Sequence, residues 1–572
     1  MNNLKSRRTF VRNSLLGTGS IFFTPNFISC SKDSNEGVVL QESPKVVLKN
    51  FDSGVASFDP TDSDVIIWTR YTSNRAQVQI QWQMSLEENF ESILRVGDVI
   101  TDASRDYTIS IKVEKLDDNQ KIYYRFIELL SQDVSITGET LTFPTLDISE
   151  LKLGVTSCAN YELGYFNVYQ KMAISDIDLV VHLGDYIYEN GTSNLGKILS
   201  RSHNPSTELL GLEDYRTRYK QYRSDESLKL LHQKKPFICV WDDHEISNDA
   251  YKDGAGGHQT NEGPFQSRKQ IALQVYSEYL PFSNASESKI YRSFKFGNLV
   301  QLTLLDTRLI GREKQLDYST YFDSQNNFDA SSFQEDLSNS NRTMLGTTQK
   351  DWLLNEINSS SAEWLFIGQQ VLMGKMYFPA ELVMQLNTLS IEFSTNGEIS
   401  SETLNIFQLQ IIELVVLKNR LNFNDPTLSV AEKLRITSML PYNLDAWDGY
   451  PFERELILNA LEAKKTIVLS GDSHNAWHNK ITKNGGSIAI NEFATAAVTS
   501  SGFETLVTDS SQLNSFQIAT TFLVDGLQYF DAKEKGFINI NIRVGAATSE
   551  WVSVASIAET PTTTKINHTV HL

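Results

Sequence analysis

A chain of 572 residues carrying a formal charge of −19 is too long for one simple core, so two or more domains are expected. Hydrophobic residues make up 40 % and charged residues 21 %, an ordinary globular balance. The acidity argues against a nucleic-acid backbone as the main partner, because that binding needs clustered Lys and Arg; it leaves a phosphate substrate open, since a metal can supply positive charge that the side chains lack.

The N-terminal stretch SRRTFVRNSLLGTGSIFF joins the pair Arg7-Arg8 and Phe10 to an apolar run too short to span a bilayer comfortably. It reads as a twin-arginine export signal. In NFISCSKDSNE, Cys30 precedes a small polar segment and resembles the lipidated first residue of a mature lipoprotein, with Phe27 standing where Leu is usual. Residues 31–43 would then be a tether, and the location periplasmic or cell-surface, with the membrane touched only through that anchor. Three cysteines, Cys30, Cys158 and Cys239, are too few for a disulfide framework. Cys239 lies in the apolar run FICVW and is expected in the core. Cys158 directly follows a strand and needs another account; the twin-arginine route exports folded proteins, so its thiol could take up a metal before leaving the reducing cytoplasm.

Residues 44–148 are read as a β-sandwich domain. DVIIWTRY, AQVQIQWQMS, DYTISIKVEKL and KIYYRFIEL are short runs rich in β-branched and apolar residues. From residue 149 to 572 the grammar changes to apolar runs alternating with helical stretches, which predicts layered α/β structure. An insertion is expected around 375–446, where FQLQIIELVVLKNRL has helical spacing, and the chain closes on the strands GFININIRV and EWVSVAS.

The apolar runs of the α/β part end on polar residues. LKLGVTSC ends at Cys158, DLVVHLGD at Asp185, PFICVWDDHE at Asp242, Asp243 and His244, LVQLTLLDTR at Asp306 and Arg308, EWLFIGQQ at Gln369 and Gln370, and KTIVLSGDSH at Asp472 and His474. Any one ending could be a helix cap or a turn Asp. Together they point to the crevice beyond the carboxyl ends of the strands, where open α/β sheets bind ligands.

The donor types fall into two sets. Asp185 can bridge two cations, and Tyr188 stands three residues further on. A phenolate suits a hard, highly charged ion such as iron(III); Cys158 thiolate and His474 imidazole complete a set suited to a transition metal. Asp243, Asp472 and the second oxygen of Asp185 form an all-oxygen set suited to calcium, magnesium or manganese. Two unlike metals sharing Asp185 would favour phosphate-ester hydrolysis by metal-hydroxide attack. His244 is placed to stabilise or protonate the leaving oxygen, or else to cap its strand. Arg308 could fork onto phosphoryl oxygens, or pair with Asp306 or another acid. Asp242 could orient a ligand. His182 reads as a core histidine, and His478 gains no role from spacing alone.

The residues GVASFDPTDSDVIIWTR, SCANYELGYF, HLGDYIYE, WDDHEISN, LLDTR, MLGTTQKDWL, WDGYPFERE and LSGDSHNAW, in that order, resemble the PhoD-like alkaline phosphatases and phosphodiesterases of the metallophosphatase group. The resemblance implies a metallophosphatase-type layered α/β catalytic domain preceded by a small β-sandwich. It also implies iron(III) held by Cys158, Asp185, Tyr188 and His474, calcium near Asp185, Asp243 and Asp472, and His244 in the place of the catalytic histidine. The expected function is an exported phosphatase or phosphodiesterase acting on phosphate monoesters or diesters, plausibly for phosphate scavenging. The alternatives are a non-catalytic surface module that binds a polymer, and a zinc or manganese phosphodiesterase.

Overall fold

Two large sheets lie face to face. The first runs in the order Thr564–His571, Ala546–Val554, Lys535–Arg543, Glu150–Thr156, Leu179–His182, Phe237–Cys239, Val55–Phe58, Val65–Arg70, Thr108–Val113. The second runs Arg292–Phe296, Val300–Leu304, Trp364–Gly368, Thr466–Ser470, Ile490–Ala494, Ala476–Ile481, Leu527–Asp531. This computed structural model describes residues 50–572 except 147, 326, 485, 487–489 and 561; the export and lipid signals expected at Arg7-Arg8 and Cys30 lie outside the described residues.

Each sheet has a parallel centre, from Glu150–Thr156 to Val55–Phe58 in the first and from Val300–Leu304 to Ile490–Ala494 in the second. These strands are buried along most of their length because both faces are covered. Alternation assigns the faces. Trp364, Phe366, Ile467 and Leu469 join Val155, Val181 and Ile238 in one core. The intervening Leu365, Ile367 and Val468 join Leu353 and Ile457 of the helices Gly346–Ser359 and Pro451–Leu461 in another. On the first sheet, Val168 and Met172 of helix Asn167–Ile174 and Leu228 and Leu231 of helix Glu226–Lys234 join the first core. The layered α/β architecture expected from the sequence is the one observed.

The N-terminal β-sandwich is also present, and it shares a sheet with its neighbour. Its outer sheet is Arg95–Thr101, Val78–Ser85, Lys121–Glu128, Gly138–Leu141. Its inner layer is the end of the first large sheet, joined where Val55–Phe58 pairs in parallel with Phe237–Cys239. Val65–Arg70 therefore has two dry faces: Val65 and Ile67 pack with Ile80, Ile122 and Phe126 inside the sandwich, while Ile66 and Trp68 pack with the α/β core. That explains why VIIW reads as a continuous apolar run rather than as an alternating strand.

The region 375–446 leaves the large sheet. Tyr377–Pro379 and Met439–Pro441 pair antiparallel at its base, with helices Ala380–Asn396, Ser401–Asn422 and Val430–Thr437 between them. Helix Ser401–Asn422 packs on helix Ser510–Leu523, Phe407 against Phe516 at 5.5 Å between ring centroids. Among the described residues, no helix is long and apolar enough to cross a membrane.

Candidate metal centre

The polar strand endings converge. Parallel strands place their carboxyl ends at one edge, and the loops that follow carry Cys158, Asp185, Asp243, Asp472 and His474. Four of these five sit in the left-handed backbone region: Cys158 (φ 61°), Asp185 (54°), Asp472 (59°) and His474 (62°). Non-glycine residues rarely go there, and each such residue costs about 1–3 kcal/mol that the surroundings must offset. The loops hold one another: Cys158 and Ala159 donate their N–H groups to the carbonyls of Gly184 (3.1 Å) and Asp185 (2.9 Å), and Val498 donates to Ser157 (3.0 Å), tying the second sheet to the first at the site.

Three ligand groups form, with atoms within 4.8 Å of one another in each: Cys158, Asp185 and His474; Asp185, Asp243 and His244; Asp242, Asp243 and Asp472. Asp185 belongs to two of them, as a shared ligand must. Tyr188 completes the first group; its hydroxyl lies 2.8 Å from Asp185 Oδ2 and 3.1 Å from His474 Nε2. His474 Nδ1 is 2.6 Å from the Ser501 carbonyl. A carbonyl can only accept, so Nδ1 carries the proton and Nε2 keeps the lone pair that faces Tyr188 and Asp185.

The chemistry of the site fits a cation. Asp185 Oδ1 is buried with no hydrogen-bond partner among the described residues. Burial, reinforced by the Asp185 charge, pushes the Cys158 thiol and the Tyr188 phenol well above their usual values. Only a cation in direct contact makes thiolate and phenolate the stable forms there. Sulfur, imidazole and phenol around one position suit a transition metal, and the carboxylates of the other groups suit a hard divalent ion.

Arg308 is fully buried among acids. Nε donates to Asp242, Nη1 to Asp445 (2.8 and 3.0 Å) and Nη2 to Asp472 (2.7 Å), with Asp243 at 3.9 Å. Of the two roles open in the sequence, pairing with acids is seen in the geometry. The partner is not Asp306, whose carboxylate instead accepts the backbone N–H groups of Arg308 and Leu309, both at 2.8 Å. Burial and the neighbouring acids push Asp472 up to about 7 despite Arg308. Burial works the same way on Asp445, but Arg308 and Arg312 together hold it below the usual carboxylate value.

His244 stands at the shared ligand. Its Nδ1 is 2.6 Å from Glu189 Oε2, and its ring lies on that of Tyr188, centroids 4.2 Å apart. Burial opposes a charge on this imidazole, but Glu189, Asp185 and Asp243 raise its pKa well above the ordinary value. Glu189 fixes the orientation of the ring. Glu189 is itself buried and accepts the Asn248 N–H at 2.8 Å.

Four residues of the site have no role in the sequence reading: Glu189, Glu245, Asp445 and Ser500. Glu189 and Glu245 end the runs HLGDYIYE and WDDHE, where their position was visible. Ser500, which donates to the Tyr188 hydroxyl at 2.6 Å, and Asp445, at the end of the insertion, carry no local signal. His182 and Cys239, read as core residues, are buried. His182 is buried against Tyr169 (2.8 Å), with burial lowering its pKa to about 3. His478 is bonded to Asn491 at 2.9 Å, and Cys239 is a buried free thiol.

This geometry has relatives. Residues 153–551 match the model of the PhoD-like phosphatases, and residues 38–144 match the model of the PhoD-like phosphatase N-terminal domain. The chain belongs to the PhoD-like phosphatase family. Alkaline phosphatase D of Bacillus subtilis (strain 168) is 30 % identical over 529 residues, covering 88 % of this chain and 77 % of that protein. A solved structure of PhoD superposes with a TM-score of 0.71 at 27 % identity, over 92 % of this chain and 91 % of the other. A purple acid phosphatase from yellow lupin (Lupinus luteus) matches at 0.51 and 10 % identity, over 90 % and 73 % of the two chains, and shares the fold. As a PhoD-like phosphatase the chain is a phosphoric-ester hydrolase with a metal-dependent site, which sets aside the non-catalytic module.

Proposed function

We propose that this PhoD-like phosphatase is exported and hydrolyses phosphate monoesters or diesters at a mixed site. In this reading, iron(III) is held by Cys158, Asp185, Tyr188 and His474, and calcium by Asp185, Asp243 and Asp472. The observation that carries the reading is Asp185 shared between a sulfur, imidazole and phenol group and a second group with Asp243 and His244, where Asp243 also belongs to an all-carboxylate group with Asp242 and Asp472. When bound, the two ions supply Lewis acidity at phosphoryl oxygens and lower the pKa of water towards neutrality. The chain's own residues do the rest. His244 holds a proton at Nε2 for the leaving oxygen, and Glu189 keeps the ring aimed. Arg308 holds Asp242, Asp445 and Asp472 in place. Export rests on Arg7-Arg8, a lipid anchor on Cys30, and phosphate scavenging is the role that suits an enzyme so placed.

Hydrolysis of a monoester and a diester by metal-replete protein tests the reading, alongside His244→Ala. The variant is expected to keep its metals and lose about 10²–10⁴ in kcat, most with alkyl esters, whose leaving oxygen needs the proton. Equal losses for alkyl and activated aryl esters would remove His244 as the proton donor. No turnover of either ester class by the parent enzyme would overturn the substrate reading.

A further inference from the structure

Asp185 must be held firmly if one carboxylate is to serve two ions, yet its backbone is in a conformation that a non-glycine residue avoids. Gly184 (φ 105°) and Asp185 (φ 54°) turn the successive N–H groups of Asp185 and Tyr186 to the same side. Such a concavity of backbone N–H groups holds acceptor oxygens, and here it holds those of a side chain from the chain itself. Glu245 Oε2 accepts the Asp185 N–H at 3.0 Å, and Oε1 accepts the Tyr186 N–H at 2.5 Å. Oε2 also accepts the Asp242 N–H at 2.7 Å. One buried carboxylate thus clamps the loops after two neighbouring strands, the loops that carry Asp185 and Asp243. They touch directly as well: a Cβ on Gly184 would stand 2.4 Å from Asp242 Cβ and 2.6 Å from its nitrogen. Glu245 belongs to none of the three ligand groups.

We infer that Glu245 is a positioning residue for the metal centre, a buried side chain whose two oxygens fill the backbone concavity at Asp185 and set the distance between the two ligand loops. The inference rests on the metal reading under Proposed function. In Glu245→Gln the side chain keeps its size, but an amide N–H₂ replaces one acceptor oxygen and faces a backbone donor, so at least one of the three bonds is lost. Partners of this kind typically set metal affinity by about 10–100-fold.

The test measures metal retained against an EDTA series by elemental analysis, and the midpoint of thermal unfolding for metal-replete and stripped full-length protein. Glu453→Gln serves as a matched control. Glu453 is a buried carboxylate that accepts the N–H groups of Met344 (2.6 Å) and Leu345 (3.1 Å), in a loop without ligands. Glu245→Gln is expected to lose metal at about 10–100-fold lower EDTA than the parent, and to lose much of the metal-dependent rise in midpoint. Glu453→Gln should lower both midpoints and leave the rise intact. Should Glu245→Gln not be recovered folded, Glu245→Asp, one methylene short, is scored by the same difference. Equal lowering of both midpoints with unchanged metal retention would overturn the positioning role. A parent protein that retains no metal and shows no rise would overturn the metal reading itself, a distinguishable result.

Discussion

Around the guanidinium of Arg308 stand Asp242, Asp243, Asp445 and Asp472, all in or beside the same site. One cation cannot balance four acids, and the excess is visible in Asp472, pushed up to about 7 by burial and its neighbours. The imbalance is the physical counterpart of a cation site: bound ions would complete the charge that Arg308, with Arg312 at Asp445, leaves incomplete. Removing one partner of a buried, paired charge costs about 3–5 kcal/mol. Arg308→Met is therefore expected to lose about that much stability in stripped protein, measured by urea unfolding at neutral pH, and markedly less when calcium is added. The same loss with and without calcium would mean that Arg308 acts by packing, not by charge. The left-handed backbones of Cys158, Asp185, Asp472 and His474 belong to the same logic, because strain that the surroundings offset keeps the ligand atoms turned inward.

Among the elements, the strands Val55–Phe58, Val65–Arg70 and Thr108–Val113 carry the most consequence for folding, because they finish one domain's sandwich and the other's sheet. Trp68 is fully buried; its indole donates to the Glu278 carbonyl at 2.7 Å, and Arg223 lies 4.4 Å over its ring. Burying a side chain such as Ile66 is worth about 1.5–3 kcal/mol, and Ile66, Trp68, Ala56 and Phe58 all pack into the α/β core. A chain starting at residue 149 would leave that face bare and the edge of Phe237–Cys239 unpaired, next to the loop carrying Asp243. Such a truncation is expected to be insoluble or uncooperative in thermal unfolding, while residues 50–572 melt in one transition. A soluble 149–572 fragment with a sharp transition and bound metal would show that the shared sheet is dispensable.

For the molecule as a whole, most of the strand set and the convergence of Cys158, Asp185, Tyr188, Asp243, Asp472 and His474 were legible in the sequence. Buried parallel strands announce themselves as apolar runs, and their polar endings mark the crevice. What stayed hidden depends on pairing between segments remote in sequence. Nothing in VASF or in FIC says that the two strands are neighbours, so the sharing of one sheet by both domains could not be read. Asp445 reaches Arg308 only because the helical insertion closes on its own base, and Ser500 reaches Tyr188 from an undistinguished run of small residues. Pairing of Arg308 with an acid was open in the sequence, but not with which acids, because that depends on what the fold sets around it. The central claim is that Asp185 joins two unlike metals. The most direct measurement is elemental analysis with a visible spectrum on full-length protein never exposed to chelator, beside Cys158→Ala. Iron and calcium together, with a visible charge-transfer band that is lost in the variant, are the expected result. Active protein containing zinc or manganese, with no visible band, would contradict the roles given to Cys158 and Tyr188.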